Sequence, residues 1–289
     1  MTLRPRRPGP NRPAFTLTEL LVVMGIIALL MSLLMAAVQK VRDSGKRTEN
    51  FDRMAQVSTA VGLAKQKNNM PYLWAGPFTL KGKYVGDGTV PEPELDILLQ
   101  MFPNMNTLRS QGLTAAQAAQ GQDNGYTGPD VTLDANQALV LLLTGGSVTQ
   151  FTGFSNDPKR PFGTGGSARK GPYLEANPSI YATITKTNRP NPSGHPWLID
   201  SFGEPYAVFA AVKGKAGNYG VNSNGNGTQS LFGVQPYQNG GKYVNESGFQ
   251  LISAGRDRAF GPGPNLPATG PGEDDQANFS QAALGSGIK

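Results

Sequence analysis

The longest hydrophobic stretch of the chain runs from Leu20 to Val38, close to the N-terminus. It contains no charged residue and no proline. At about 1.5 Å per residue, a helix of this length nearly crosses a hydrocarbon layer of about 30 Å. A secretory signal peptide would have a shorter apolar region, followed by a cleavage site of small residues. The stretch therefore predicts a membrane-spanning helix.

A second hydrophobic pattern follows this stretch, with apolar residues at spacings of three and four. Such spacing is typical of an amphipathic helix. We expect a soft point at Ser44-Gly45, because glycine weakens a helix interior by about 1 kcal/mol. Pro71 restricts the residue before it, so the helix should end near Asn68-Asn69. The apolar positions are Phe51, Met54, Val57, Val61 and Ala64.

From residue 70 onward, shorter apolar patterns alternate with stretches rich in glycine and proline. Their spacing distinguishes helices from strands. Together they predict an α+β protein in which a long N-terminal helix packs on a small C-terminal antiparallel sheet with extra helices and loops. The predicted helices cover residues 93–101, 113–120 and 133–144; the predicted strands cover 196–199, 206–212, 242–244 and 248–253, the last being the final strand; the predicted loops cover 121–130, 153–171 and 218–229.

The composition excludes several kinds of functional site. The 37 glycines and 23 prolines among 289 residues predict a loop-rich domain. The chain has no cysteine, which excludes disulfides, a thiolate nucleophile and cysteine-ligated metals. His195 is the sole histidine, and we interpret it as a structural or surface residue rather than part of a catalytic triad. We interpret Trp74 and Trp197 as core or assembly contacts, and we expect no enzyme.

The positive charge is concentrated in front of the hydrophobic stretch. The chain carries a formal net charge of +6, and without the four leading arginines the remainder carries about +2. The basic balance therefore does not favour nucleic-acid binding. It fits the excess of basic residues that membrane proteins keep on the cytoplasmic side. These arginines are Arg4, Arg6, Arg7 and Arg12.

Glu19 lies at the start of the hydrophobic stretch, where a carboxylate is costly. Insertion scales give about 2.5 to 3.5 kcal/mol for an acid deep in a membrane helix, and less near an interface. A cation that meets it in the low-dielectric layer would offset this cost. Cleavage after Ala14 would create such a cation, the α-amine of Phe15, within about one helical turn. The alternative is a carboxylate at the membrane surface that lipid headgroups solvate, and both interpretations stay open on physical grounds.

The segment Phe15-Thr-Leu-Thr-Glu19-Leu-Leu-Val-Val23 resembles the prepilin cleavage and methylation motif of type IV pilins and type II secretion pseudopilins. The resemblance implies that a membrane peptidase cuts between Ala14 and Phe15, that Phe15 is then N-methylated, and that Glu19 guides subunit docking. The family usually has glycine where this chain has Ala14. The resemblance implies a pilin-like fold with a leader at 1–14, a transmembrane and assembly helix at 15–39, its amphipathic continuation at 40–69 and a globular head at 70–289.

The same resemblance implies partners and a location. The partners would be other copies, related pilin-like subunits, the prepilin peptidase and the inner-membrane platform of a secretion or pilus system. The chain would cross the inner membrane once, with a cytoplasmic N-terminus and a periplasmic head, and then enter a periplasmic or extracellular filament. The alternative is a membrane-anchored periplasmic binding module that does not polymerise.

Two C-terminal segments, residues 200–206 and 249–257, resemble the corresponding region of major pseudopilins of the type II secretion system. Ser201-Phe202 stands where those proteins usually have Pro-Trp. The long glycine-rich insertions are similar to those of the expanded pilin-like proteins of planctomycete-type bacteria.

An acidic loop follows the last predicted strand. Ca²⁺ binds six to eight oxygens, and glycine-rich loops let carboxylates and carbonyls converge on it. Related major pseudopilins bind calcium in this loop, and the resemblance places the candidate ligands at Asp257, Asp274 and Asp275. Arg256 and Arg258 flank Asp257, and the alternative is a solvated acidic loop. Ca²⁺ is the one cofactor that the sequence suggests.

Overall fold

A computed structural model describes residues 16–74, 76–85, 92–107, 124–145, 151–165, 168–175, 177–219 and 231–287. The chain divides into two compact units, the first ending at Gly45 and the second running from Lys46 to Lys289. The predicted leader, Ala14, Phe15 and the predicted helix at 113–120 lie outside the described residues.

A single helix, α1, covers Leu17–Lys67. Asn69 has a left-handed φ of 52°, and Pro71 follows, so the helix ends close to where the sequence predicts. Ser44 and Gly45 both lie inside the helix, which is continuous there. Glycine lowers helix stability but keeps its backbone N–H, so the predicted soft point does not interrupt the hydrogen bonding.

The two parts of α1 differ in burial. In the first unit its apolar side chains are exposed, as the 58% exposure of Leu20 illustrates. From Lys46 onward one face is buried, which confirms the amphipathic pattern, although Phe51 is only partly buried. The buried residues on this face are Met54, Val57, Ala60, Val61 and Ala64.

The described part of the second unit contains two further α-helices and several short strands, which confirms the predicted α+β class. The helices are α2 (Leu95–Met101) and α3 (Ala135–Thr144). The strands are β1 (Phe78–Leu80), β2 (Val131–Leu133), β3 (Phe154–Ser155), β4 (Arg169–Lys170), β5 (Tyr181–Ala182), β6 (Trp197–Leu198), β7 (Ala207–Ala210), β8 (Gln238–Asn239), β9 (Lys242–Tyr243), β10 (Phe249–Ser253) and β11 (Gln276–Ala277).

The central sheet is small and antiparallel, with the strand order β11-β10-β7. Leu251 lies opposite Val208, and Ile252 lies opposite both Ala207 and Ala277. The other described strands form antiparallel pairs, β1 with β2, β3 with β4, β5 with β6, and β8 with β9. The prediction that β10 is the final strand is wrong, because β11 follows and pairs with it. A strand of two residues is too short to show an alternating pattern.

The start of α3 also differs from the prediction of a helix over 133–144. Leu133 ends β2, and Asp134 is the N-cap with an extended backbone at φ −76° and ψ 176°. The Asp134 carboxylate accepts the N–H of Gln137, and the Gln137 side chain accepts the N–H of Asp134. This reciprocal capping box sets the first residue of the helix at Ala135.

Smaller differences have similar local causes. The predicted helix at 93–101 begins at Leu95, and the predicted loop at 153–171 contains β3 and β4. The predicted strand at 206–212 ends at Ala210, because Val212–Gly214 forms a turn of 3-10 helix. The predicted edge at 242–244 is confirmed as β9, one strand of a hairpin with β8.

Two hydrophobic clusters form the core of the second unit. The first lies between α1, α2 and α3, and the second lies around β7, β10 and the C-terminal segment. Trp74 and Trp197 are both buried, at 2% and 1% exposure. The indole N–H of Trp197 donates to the Asp134 carboxylate at 2.6 Å, so this tryptophan is a core contact beside the cap of α3.

Candidate functional site

Thr16 and Glu19 form a capping box at the N-terminus of α1. The N–H of Thr16 donates to the Glu19 carboxylate at 2.9 Å, and the N–H of Glu19 donates to the Thr16 hydroxyl oxygen at 3.2 Å. The Thr16 hydroxyl also donates to the same carboxylate at 2.9 Å. Two of the four backbone N–H groups that a helix start leaves unpaired are thereby satisfied.

This arrangement gives Glu19 a role that our sequence analysis missed. The signal was present, because Thr-x-x-Glu in front of an apolar run is the sequence signature of a capping box. The carboxylate also lies at the positive end of the helix dipole, which lowers the cost of its charge. Ala14 and Phe15 lie outside the described residues, so the pairing of Glu19 with a Phe15 amine stays a prediction.

Behind Glu19, the first unit exposes a large apolar surface. One helix among the described residues has the length and composition to cross a membrane, and its most apolar 18-residue window has a mean hydropathy of 2.8. A contiguous apolar surface of this size marks a membrane or protein contact. Ser32, a polar residue within it, donates its hydroxyl to the Leu29 carbonyl oxygen at 2.8 Å. The Ser32 hydroxyl is therefore satisfied within the helix and can lie in an apolar environment.

Within the second unit, polar contacts hold α1 in addition to its apolar face. Asn50 is fully buried. Its side-chain NH₂ group donates to the Gln276 side-chain oxygen at 3.0 Å, and its side-chain oxygen accepts the Tyr206 hydroxyl. Arg53 donates to the carbonyl oxygens of Ser179, Ile199 and Asp200 at 3.2 to 3.3 Å. These bonds fix both the rotation and the position of the helix along its axis.

The turn at 200–205 lies against the same helix. The Ser201 hydroxyl donates to the Lys46 carbonyl oxygen at 2.7 Å, and the Lys46 ammonium lies 5.5 Å from the centre of the Phe202 ring. Asp200 closes the turn by accepting the N–H groups of Phe202 and Glu204. Burial raises the pKa of Asp200 to about 6, although hydrogen bonds from Ser253 and the backbone oppose this shift.

In the acidic loop, Asp274 organises the turn after β10. Its carboxylate accepts the N–H groups of Arg256 and Asp257 at 2.6 and 3.1 Å. The Asp257 carboxylate accepts the N–H of Ala259 at 2.8 Å. Gly255 has a φ of 65°, and a Cβ there would lie 2.4 Å from the Asp274 carbonyl oxygen, so the position requires glycine.

Asp275 is the buried member of the acidic loop, with no exposed surface. One carboxylate oxygen accepts the Tyr237 hydroxyl at 3.1 Å and the Gly261 N–H at 3.0 Å, while the other has no hydrogen-bond partner. Burial raises the pKa of Asp275 to about 7, and the charges of Asp274 and Asp257 add to the shift. The structure thus brings the three predicted acids into one electrostatic neighbourhood.

A Ca²⁺ site would need several oxygens of Asp257, Asp274, Asp275 and the backbone to converge on one point. Among the described residues, no three or more His, Asp or Glu side chains form a group arranged to hold a metal ion. One carboxylate oxygen each of Asp257 and Asp274 accepts backbone N–H groups, and Asp275 has a buried oxygen without a hydrogen-bond partner. Calcium binding by this loop stays a prediction.

The N-terminal segment is where the chain resembles known proteins. A family model for the prokaryotic N-terminal methylation motif matches residues 10–35, which include Ala14, Phe15, Glu19 and most of the apolar run. No curated protein and no solved structure resembles the chain closely enough to count as a match. The long apolar helix and the α+β second unit agree with a pilin-like, membrane-anchored protein. Residues 10–35 thus carry the prokaryotic N-terminal methylation motif, which supports a prepilin-type protein similar to type IV pilins and pseudopilins.

Proposed function

We propose that the chain is a structural subunit of a type II secretion pseudopilus or of a type IV pilus-like filament. The observation that carries the proposal is the methylation motif at residues 10–35 at the start of an apolar helix. In this proposal the prepilin peptidase cuts between Ala14 and Phe15, and Phe15 is then N-methylated. The family with this motif consists of structural subunits rather than of enzymes.

The proposed pathway begins in the inner membrane. The arginines of the leader favour a cytoplasmic N-terminus, so the second unit would lie in the periplasm. The exposed apolar surface of the first unit then passes from lipid to the same surface of neighbouring copies. The partners are other copies, related pilin-like subunits, the peptidase and the inner-membrane platform.

The N-terminal residue of the mature protein tests the proposal. Mass spectrometry of the chain, purified from a host with a prepilin peptidase, should find an N-terminus at Phe15 that carries one methyl group. The same host without the peptidase is the control, and there the chain should keep its leader. A mature chain that begins at Met1, or that is cut after Ala37, would overturn the proposal.

The second candidate function is a single-pass anchor for a periplasmic binding module that does not polymerise. The capping box favours it, because Glu19 would have a purpose in any helix that starts at Leu17. Glu19→Ala separates the two functions. A filament subunit should lose assembly while it stays in the membrane, whereas an anchor should lose only the cap of its helix and stay in the membrane.

A further inference from the structure

A cavity of about 330 Å³ lies in the second unit, away from α1 and the acidic loop. Three separate segments line it: residues 125–129 with Val131, Phe162 with Thr164, and the loop that contains Ser193 and His195. Its volume falls at the lower end of the range of small-molecule sites, which is roughly 300 to 1,000 Å³.

Asn124 fixes the first two walls of the cavity to each other. Its side-chain amide donates to the Lys81 carbonyl oxygen at 2.8 Å, and its side-chain oxygen accepts the Tyr126 N–H at 3.0 Å. Its backbone carbonyl accepts the Phe162 N–H at 3.1 Å. A Cβ on Gly125 would lie 2.2 Å from the Gly163 nitrogen, so the two loops approach as closely as backbone permits.

The third wall is equally constrained. The His195 N–H donates to the Ser193 hydroxyl oxygen at 3.1 Å, and the His195 carbonyl accepts the amides of Gln137 and Asn191 at 2.9 and 2.8 Å. Since Gln137 belongs to the first turn of α3, this wall is tied to the helix core. A ligand would therefore meet a largely preformed site and lose little affinity to loop ordering.

His195 belongs to this wall, and its outer ring nitrogen is enclosed rather than open to the cavity. Its Nδ1 lies 2.9 Å from the Ser193 carbonyl oxygen, which can only accept, so Nδ1 carries the proton. In the neutral ring Nε2 is then an acceptor, and it is buried without a partner. Burial lowers the pKa of His195, so the ring is neutral at pH 7.

We propose that this cavity binds a small neutral polyhydroxylated ligand, namely a free hexose or the terminal sugar of a polysaccharide. None of the described residues that line the cavity carries a formal charge at pH 7, and the negative charge of Asp130 acts on the lining residue Tyr126. An anionic ligand would therefore lose its hydration without gaining a counter-charge.

The lining chemistry fits a sugar. The hydroxyl groups of the exposed residues Thr127 and Thr164 both donate and accept hydrogen bonds, as sugar hydroxyls do. Tyr126 and Pro129 supply apolar surface for the C–H face of a pyranose. The proposal stands independently of whether the chain forms filaments.

The test uses the full chain in a detergent without a sugar headgroup. Saturation-transfer NMR with glucose, galactose and N-acetylglucosamine at millimolar concentration should detect binding of at least one sugar. Thr164→Trp, at the exposed rim, should fill the cavity and abolish the signal. Thr152→Trp, an exposed position that does not line the cavity, is the matched control and should keep it.

A linear oligosaccharide of the bound sugar distinguishes a free hexose from the terminal sugar of a polysaccharide. A site for a terminal sugar should bind the oligosaccharide as tightly as the free sugar, whereas a site for a free hexose should bind it more weakly.

Three results would overturn the proposal: no sugar bound by the natural chain, binding that survives Thr164→Trp, or preference for glucuronate over its neutral counterpart. If Thr164→Trp fails to fold, Thr127→Trp fills the cavity from another exposed rim position and the same outcomes apply.

Discussion

The backbone N–H of Thr16 and the carboxylate of Glu19 are joined at 2.9 Å, and the N–H of Glu19 reaches back to the Thr16 hydroxyl oxygen. Glu19 thus has two possible roles, to cap its own helix and to carry a negative charge for assembly. The two roles require different properties of the side chain. Capping needs an oxygen that accepts a hydrogen bond, whereas pairing with an amine needs the negative charge.

Glu19→Gln separates these roles, because glutamine also serves in a capping box. We expect Glu19→Gln to preserve membrane insertion and helix content but to abolish filaments, since it removes the charge alone. Electron microscopy of assembled filaments and membrane fractionation would measure both. Thr16→Ala is the matched variant that removes the hydroxyl bonds of the cap and keeps the charge, and it should retain filaments in reduced number. Filaments of normal number in Glu19→Gln would show that capping is the sole role of Glu19.

The Asn50 contacts should carry measurable stability. Asn50→Ala leaves the buried Tyr206 hydroxyl and the Gln276 side chain without a partner, which should cost about 1 to 3 kcal/mol in unfolding free energy. Urea unfolding of the full chain in mild detergent would measure the loss. In a double-mutant cycle with Tyr206→Phe, we expect coupling of about 1 kcal/mol. Additive losses would show that this hydroxyl bond contributes nothing.

Stability should also fall as the pH rises. Burial raises the pKa of Asp275 from 3.8 to about 7 and that of Asp200 from 3.8 to about 6. The folded state therefore holds protons that the unfolded chain releases, so unfolding free energy decreases between about pH 4 and pH 7 and then levels off. We expect a decrease on the order of 4 kcal/mol from Asp275, measured by urea unfolding at several pH values.

Asp275→Asn is the variant that checks the assignment. The asparagine oxygen can accept from Tyr237 and Gly261 as the carboxylate does, and its amide does not titrate in this range. The slope of stability against pH should flatten, and stability at pH 7.5 should not fall. A slope that stays as steep as in the natural chain would place the titration on other groups.

Calcium addition tests the remaining metal prediction. If Asp257, Asp274 and Asp275 bind Ca²⁺, millimolar CaCl₂ at pH 7.5 should raise the thermal midpoint of the natural chain, because a ligand that binds only the folded state stabilises it. The same concentration of MgCl₂ should act less, since Mg²⁺ demands a stricter geometry. Asp274→Asn should remove the calcium effect. An unchanged midpoint would leave the loop as a set of carboxylate-to-backbone hydrogen bonds.

The sequence predicted what depends on neighbouring residues. The apolar run and the spacing from Phe51 to Ala64 predicted α1, and Gly145 after a run of leucines predicted the end of α3. The Thr16 cap was also readable, because its partner is three residues away. Local patterns of this kind are decided by backbone geometry and by one buried face.

The rest depends on contacts between distant residues. Asn50 is hydrogen-bonded to Gln276, which lies 226 positions away in the sequence, and no hydrophobic periodicity predicts such a pair. The cavity is lined by three loops whose proximity follows from the packing of the second unit. The acids of the predicted loop also differ in burial. Asp275 is fully buried, whereas its neighbour Asp274 is partly exposed. The sequence does not reveal this difference between adjacent residues.

The C-terminal segment has a practical consequence for labelling. Leu284 is fully buried, its N–H donates to the Asp275 carbonyl oxygen at 2.8 Å, and the Asn278 side chain accepts the N–H of Leu251 in the middle strand. A shortened chain that lacks these residues would lose part of its core, and the leader is expected to be removed. The exposed glycine turn at Gly240-Gly241, between β8 and β9, is therefore the better position for an epitope or fluorophore than either end of the chain.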